Sequence, residues 1–177
     1  MITDDDIIHV EIPESIIIEA KQQANDIGAL RGSFRGGSGN IIGFIGELLI
    51  CHYANVQQVD RNSNALFDYD LIIKNIKCDV KSKQVTSWPN VNYECSIEKF
   101  NTSQQCDIYI FTRIMRDFSS AWILGWIPKK TYFKNCYFVS KGFIDPSNNN
   151  RIPSDRYNIL IKQLHKPKLL FNKNTQF

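Results

Sequence analysis

The sequence predicts an α/β protein in the broad sense (α+β), in which a central mixed β-sheet is flanked by helices. Two segments with helical spacing of apolar residues come first, and segments that alternate apolar and polar residues follow. The chain has 177 residues, 43% of them hydrophobic, which is enough for one sizeable core and leaves little room for a second. We therefore expect one domain over residues 1–177, with a flexible tail from 165 to 177.

The two predicted helices differ in their exposure. The first covers Pro13 to Ile27 and stops at Gly28, a residue that favours helix ends. The second begins at Asn40, which can act as its N-cap, and runs to about Ala54. Because the second helix is apolar almost all round, we expect it to be buried. Its one acidic residue, Glu47, is therefore out of place.

A glycine-rich segment, residues 28–39, lies between these helices and carries Arg31 and Arg35. Small residues let backbone amides approach phosphates, and arginines add phosphate contacts. A solvated linker explains the same composition equally well.

Two predicted strands, residues 67–74 and 76–83, form a hairpin. If Lys74 and Asn75 are its two central turn residues, Asp70 lies opposite Asp79, and Asp68 lies opposite Lys81, all on one face. A turn that is one residue longer would place Asp70 opposite Val80 instead. Alternating charge on a strand also arises when one face of a hairpin is simply exposed to water.

The opposed aspartates suggest a cation site. Directly opposed β-carbons are about 5 Å apart, so Asp70 and Asp79 would repel each other unless a cation lay between them. A hard divalent ion such as Mg²⁺ takes oxygen ligands of this kind. A carboxylate in an apolar helix, such as Glu47, is costly unless it is paired or binds a metal. The alternative is that Gly43 and Gly46 mark close helix packing and Glu47 reaches solvent.

The remaining elements follow the hairpin. We expect strands over 107–115 and 120–127, a short helix beginning near Pro128, and a last strand over 156–164.

Composition excludes several classes of protein. No segment has the roughly 18 consecutive apolar residues of a membrane span, and the acidic N-terminus is unlike a secretory signal, so a cytoplasmic protein without membrane contact is expected. The five cysteines contain no C-x-x-C pair, and the three histidines are not clustered with acids. Disulfide, zinc, histidine-based and thiol chemistry therefore lack support. A net charge of +3 permits a nucleic-acid partner without arguing for one.

The ordered set Glu47, Asp70 and Asp79-Val-Lys81 resembles the PD-(D/E)XK nuclease superfamily, which includes restriction enzymes and phage exonucleases. The resemblance extends over about residues 40–130, with Asp107-Ile-Tyr-Ile-Phe111 and Gly125-Trp-Ile-Pro-Lys129 as the later segments. The proline of the family motif is replaced by Tyr69, at a position that varies in the family.

The resemblance implies a restriction-endonuclease-like core and a nuclease that cuts DNA, most simply as an endonuclease. Glu47, Asp70 and Asp79 would bind Mg²⁺, for which Mn²⁺ can substitute, and Lys81 would orient the attacking water or support the phosphate. Asp68 and Lys83 are alternatives to their neighbours if the register differs. Arg31, Arg35, Lys83 and Gln84 are the candidate DNA contacts. Trp88 could stack on a base, although an aromatic there is more often core.

Three further points stay open. A homodimer is plausible because one site cuts one strand. Two rival classes explain the same residues: a non-catalytic nucleic-acid-binding or phage-assembly protein that retains a nuclease-like fold, and a structural domain with a charged hairpin.

Overall fold

The computed structural model describes residues 1–27, 38–60, 68–145 and 149–172. Within these ranges, three short 3-10 helices accompany the main elements, at Asp4–Asp6, Lys99–Asn101 and Ile161–Gln163. In chain order the strands and helices are β1 (Ile8–Glu11), α1 (Glu14–Ile27), α2 (Ser38–Ala54), β2 (Leu71–Ile73), β3 (Ile76–Val85), β4 (Glu94–Glu98), β5 (Ile108–Met115), β6 (Ser120–Pro128), α3 (Lys129–Asn135), β7 (Tyr137–Val139), β8 (Arg156–Leu160) and α4 (Pro167–Phe171).

Two sheets form the framework. The first has five strands in the order β1-β6-β5-β3-β2, and the second has three in the order β4-β8-β7. Strands β3 and β5 are parallel, whereas every other pair in the first sheet is antiparallel. The coarse fold class is therefore confirmed: this is an α+β chain with a mixed central sheet and a few helices.

The first sheet is covered on both faces. On one face, α2 packs on β3 and β5, and α1 packs on α2. The second sheet covers the other face, because strand alternation on β5 sends Tyr109 and Phe111 towards Cys95, Ile97 and Ile159. Neighbouring Ile110 belongs instead to the core on the helix side. Such double coverage explains why β5 is apolar along most of its length.

Most long elements match the prediction, and the differences have local causes. Helix α2 begins two residues earlier than predicted, at Ser38. The last strand ends at Leu160, because the chain then forms the 3-10 helix Ile161–Gln163. Strands β1, β4 and β7 are not in the prediction; each has only three to five residues.

The predicted flexible tail is in part an ordered element. His165 pairs with Trp126, and helix α4 follows. Leu170 is fully buried in the helix-side core, so residues 165–172 belong to the packed domain. Residues 173–177 lie outside the described residues.

The hairpin turn is the one that the sequence predicts. Lys74 and Asn75 both have positive φ, 51° and 65°, as a two-residue hairpin turn requires. Ile73 pairs with Ile76 and Leu71 with Cys78, which confirms the predicted register.

The first hairpin strand is much shorter than predicted, however, because it begins only at Leu71. The predicted strand pairing of Asp70 with Asp79 therefore does not form. Neither does that of Asp68 with Lys81: Asp68 instead accepts a hydrogen bond from the Gln105 backbone N–H, at 3.1 Å.

Helix α2 lies very close to the sheet at Gly46. A Cβ there would be 1.9 Å from Ser82 Oγ on β3 and 2.8 Å from Thr112 Oγ1 on β5. Only glycine permits this approach. Gly43 has no such neighbour, since a Cβ there would meet Glu47 Oε1 at an ordinary 3.8 Å. Close packing thus accounts for Gly46, and the same packing fixes the position of Glu47.

The cysteines are free thiols, and four of the five are buried. Burial is the main cause that raises the pKa of Cys51, Cys78 and Cys95 to about 12, which makes these thiols unreactive. Within the described ranges, no helix has both the length and the apolar character needed to cross a membrane.

Candidate active site

Glu47 is held on α2 by a chain of amide side chains. Gln58 Nε2 donates to Glu47 Oε2 at 2.8 Å, and Gln23 Nε2 donates to Gln58 Oε1 at 2.9 Å. All three side chains are half-buried. The carboxylate therefore has a fixed orientation next to the sheet edge, although the helix around it is apolar.

Asp70 occupies the place where strand β2 would have continued. Its backbone N–H donates to the Cys78 carbonyl at 2.9 Å, and its own carbonyl accepts from Val59 N–H at 2.8 Å. Its carboxylate oxygen Oδ2 accepts from the Val80 backbone N–H at 2.6 Å. A side chain thus replaces the ladder at this edge of β3, which explains why the strand ends before Asp70.

The electrostatics of Asp70 connect the candidate residues. Burial raises the pKa of Asp70 well above its usual value, and the charges of Glu47 and Asp79 raise it further. Lys81 and the Val80 N–H act in the opposite direction. Glu47, Asp79 and Lys81 therefore each act electrostatically on Asp70.

Asp79 is enclosed in a network on β3. Its side chain is buried, with 1% of its surface exposed. Lys81 Nζ lies 2.7 Å from Asp79 Oδ2, and Gln104 Nε2 donates to Asp79 Oδ1 at 2.8 Å. Lys81 also donates to Gln104 Oε1 at 2.9 Å, which closes a triangle. The Gln104 carbonyl accepts a further hydrogen bond from Lys129 Nζ.

Gln104 does not stand out in the sequence. It lies in the connection before β5, where only the parallel pairing of β3 with β5 brings it to Asp79. That pairing is a tertiary feature and leaves no local signal.

Glu47 and Asp79 lie on different sides of β3. Val80 packs in the core on the helix side, where α2 contributes Ile50. Asp79 points to the other side, as alternation requires. Cys106 lies near it there: burial of this thiol, and then the charge of Asp79, raise the pKa of Cys106 to about 11. Asp70, at the edge of the strand, lies between the two. That Glu47, Asp70 and Asp79 share one metal ion stays a prediction.

The donor chemistry fits a hard cation, but the described side chains are not assembled around one. Carboxylate oxygens are the ligands that Mg²⁺ prefers. Burial is the main cause that raises the pKa of Asp70, and the negative charges of Glu47 and Asp79, which a cation would offset, raise it further. Within residues 1–27, 38–60, 68–145 and 149–172, however, no three His, Cys, Asp or Glu side chains form a group that could hold a metal ion.

The candidate DNA contacts separate into three groups. Arg31 and Arg35 lie outside the described residues. Lys83 is exposed on the same face of β3 as Asp79 and Lys81. Gln84 is on the opposite face by alternation, so Lys83 and Gln84 do not contribute to one surface.

Comparisons with known proteins do not assign the chain to a family. No protein-family model matches it, and no curated protein is significantly similar to it. The resemblance to the PD-(D/E)XK superfamily therefore remains a prediction that rests on the residues themselves.

Proposed function

We propose that this protein is a metal-dependent nuclease that hydrolyses DNA phosphodiester bonds, with Glu47, Asp70, Asp79 and Lys81 in its active site. The observation that carries the proposal is the position of Asp70, whose carboxylate accepts from the Val80 N–H at 2.6 Å on β3, the strand that also holds the ion pair of Asp79 with Lys81. Burial, and then the charges of Glu47 and Asp79, raise the pKa of Asp70, so two further acids act on this carboxylate. Perturbed carboxylates of this kind are typical of functional sites.

A cation would relieve the repulsion around Asp70. We propose Mg²⁺, with Mn²⁺ able to substitute, bound by Asp70 and Asp79, with Glu47 as a direct or water-mediated ligand. When bound, such an ion lowers the pKa of its coordinated water and offsets charge that develops on a phosphate.

The chain's own residues supply positioning. Gln58 orients Glu47, and Gln104 holds both Asp79 and Lys81. Release of Lys81 from Asp79 would free an ammonium group to orient the attacking water or to support charge on the phosphate. The ion pair of Lys81 with Asp79 offsets the charge of Asp79 alone until a metal binds.

The finer fold assignment belongs to the same proposal. Helix α2, the β2–β3 hairpin and strands β5 and β6 follow the order expected for a restriction-endonuclease-like core. We further propose a cytoplasmic protein, with DNA as its partner and a homodimer as the form that makes paired cuts.

A cleavage assay tests the proposal. Plasmid, single-stranded DNA and RNA are incubated with Mg²⁺ or Mn²⁺ and then with EDTA. We expect metal-dependent cutting of DNA that Asp79→Asn and Lys81→Gln each reduce by at least about 100-fold. Lys77→Gln is the matched control, because Lys77 is an exposed lysine on the same strand. Cutting by Asp79→Asn at the wild-type rate would overturn the proposal.

Metal binding gives a readout that does not depend on activity. Mn²⁺ should raise the melting temperature of the wild-type protein, and Asp70→Asn should abolish that increase. An equal Mn²⁺ effect in both proteins would contradict the role of Asp70.

One observation favours a second candidate function. The triangle of Asp79, Lys81 and Gln104 already pairs a buried carboxylate with an ammonium group without a metal, which suits a non-catalytic nucleic-acid-binding or phage-assembly protein with a nuclease-like fold. DNA binding without cutting, with either metal, would support that alternative.

A further inference from the structure

A row of four side chains crosses the first sheet on the face opposite α2. Lys83 on β3 pairs in register with Arg113 on β5, and Arg113 pairs with Trp122 on β6. Trp122 in turn pairs with His9 on β1. Since residues in register on neighbouring strands share a face and are about 5 Å apart, the row is continuous. Its first half is cationic and its second half is aromatic.

The cationic half has no carboxylate partner among the described residues. Arg113 is only 6% exposed, yet it donates to a backbone carbonyl, that of Glu94, at 3.0 Å. Its guanidinium lies over the Tyr93 ring, 5.3 Å from the centroid. A buried guanidinium that lacks a carboxylate within 4 Å is unusual.

Lys83 adds a second unneutralised cation beside Arg113. Its pKa is lowered, first by partial burial and then by the charges of Arg113 and Arg156, while Glu94 acts in the opposite direction. Glu94 is engaged elsewhere, because its carboxylate accepts hydrogen bonds from Tyr137 OH and Asn158 Nδ2. Two adjacent cations of this kind attract an anion.

The exposed ring of Trp88 packs on the aromatic half. Trp88, shortly after β3, is 65% exposed, whereas Trp122 beneath it is 1% exposed. The Trp88 ring centroid is 4.9 Å from that of His9 and 5.4 Å from that of Trp122. Trp88 is therefore supported from below and open above, which is the arrangement of a stacking platform.

We propose that Lys83 and Trp88 bind single-stranded nucleic acid, with a phosphate at Lys83, where the buried charge of Arg113 adds to the attraction, and an unpaired base stacked on the exposed indole. This inference rests on the proposed function and names its substrate class. A single strand is favoured because a duplex keeps its base faces stacked and out of reach. Lys83 and Lys81 are two residues apart on one face of β3, about 7 Å along the strand. A bound strand thus extends from the row towards the candidate active site.

A binding experiment in EDTA tests this site without any contribution from cleavage. Intrinsic tryptophan fluorescence is titrated with an oligothymidylate of about 12 nucleotides. Because Trp122 and Trp126 are buried at 1% and 7% exposure, quenching reports on Trp88. We expect Trp88→Ala to weaken binding, measured by anisotropy of a labelled oligomer, by about 10- to 100-fold. Trp88→Phe should keep much of the affinity and lose the quenching.

Salt dependence tests the phosphate contact. Lys83→Gln should reduce the slope of log K against log salt by about 0.7. Lys21→Gln, an exposed lysine on α1, should leave the slope unchanged. The site is overturned if Trp88→Ala binds the oligomer as the wild-type protein does. It is also overturned if duplex DNA of equal length or polyglutamate binds and quenches as well as the single strand, since the partner would then be a duplex or an acidic protein.

The two proposals fail separately. If the oligomer binds in EDTA but no metal supports cutting, the nuclease proposal fails and the proposed single-strand site stands. If cutting depends on Asp79 while the Trp88 and Lys83 variants bind the oligomer normally, the single-strand proposal fails and the nuclease proposal stands.

Discussion

Replacing Gly46 with alanine tests the position of α2 on the sheet, and hence that of Glu47. The new Cβ would lie 1.9 Å from Ser82 Oγ and 2.8 Å from Thr112 Oγ1. These two hydroxyls are hydrogen-bonded to each other at 2.8 Å, and Thr112 is 2% exposed. Neither side chain therefore has much room to move. Normal contacts of a carbon atom are about 3.5 Å, so Ser82 and α2 would have to separate by roughly 1.5 Å.

The expected magnitude combines two opposing effects. Overpacking costs about 1–3 kcal/mol, and so deep a clash belongs at the upper end of that range. Alanine instead of glycine in a helix gains about 1 kcal/mol. The free energy of unfolding of Gly46→Ala should therefore fall by about 2 kcal/mol, which lowers the melting temperature by about 4–8 °C for a chain of this size.

Urea and thermal unfolding, followed by circular dichroism, measure this difference, and α2 supplies the matched control. Gly43→Ala meets only an ordinary contact at 3.8 Å, so it should gain about 0.5–1 kcal/mol. Removing the obstructing hydroxyl with Ser82→Ala should recover part of the loss, as a favourable coupling energy in the double mutant. If Gly46→Ala is as stable as Gly43→Ala, α2 does not approach β3 as described.

Three further changes test other parts of the molecule. Asp70→Asn should raise the free energy of unfolding of the metal-free protein at neutral pH by about 1 kcal/mol. A carboxyl with a raised folded-state pKa contributes stability at low pH and loses it as pH rises through that pKa. The stability difference between the variant and the wild-type protein should therefore grow with pH, and a difference that shrinks would contradict the raised pKa. Asn75→Ala should lower the free energy of unfolding, measured in urea, by about 1 kcal/mol because φ at this residue is 65°, whereas Asn75→Gly should not lower it. Equal stabilities of the two variants would argue against this turn. Leu170→Ala should cost about 2–5 kcal/mol in thermal unfolding, and an unchanged melting temperature would mean that α4 does not pack on the sheet.

The parts of the fold that depend on local chemistry could be predicted from the sequence. The hairpin register follows from Lys74-Asn75, because few dipeptides adopt two positive φ angles in a tight turn. The end of β2 could not be predicted in the same way. It depends on the Asp70 carboxylate taking the Val80 N–H, a competition between side chain and backbone that periodicity does not record.

The sequence suggests candidate members of the site but does not give their arrangement. Alternation correctly places Asp79 and Lys81 on one face of β3, but the side of the sheet on which α2 packs is a tertiary choice. That choice puts Glu47 on the opposite side from Asp79. Likewise, Arg113 looks like an ordinary strand residue until its register with Lys83 and Trp122 is known.

The connection from β3 to β5 has a consequence for how the chain folds. It leaves the first sheet, contributes β4 to the second, and returns, so Glu94 pairs with Leu160 near the other end of the chain. Pairings between residues so far apart in sequence form slowly. During synthesis, β4 lacks its pairing strand until β8 has emerged from the ribosome. Until then, the apolar face of β5 and β6 is uncovered. A chain shortened before β8 should therefore aggregate during synthesis and should not accumulate as a smaller folded protein.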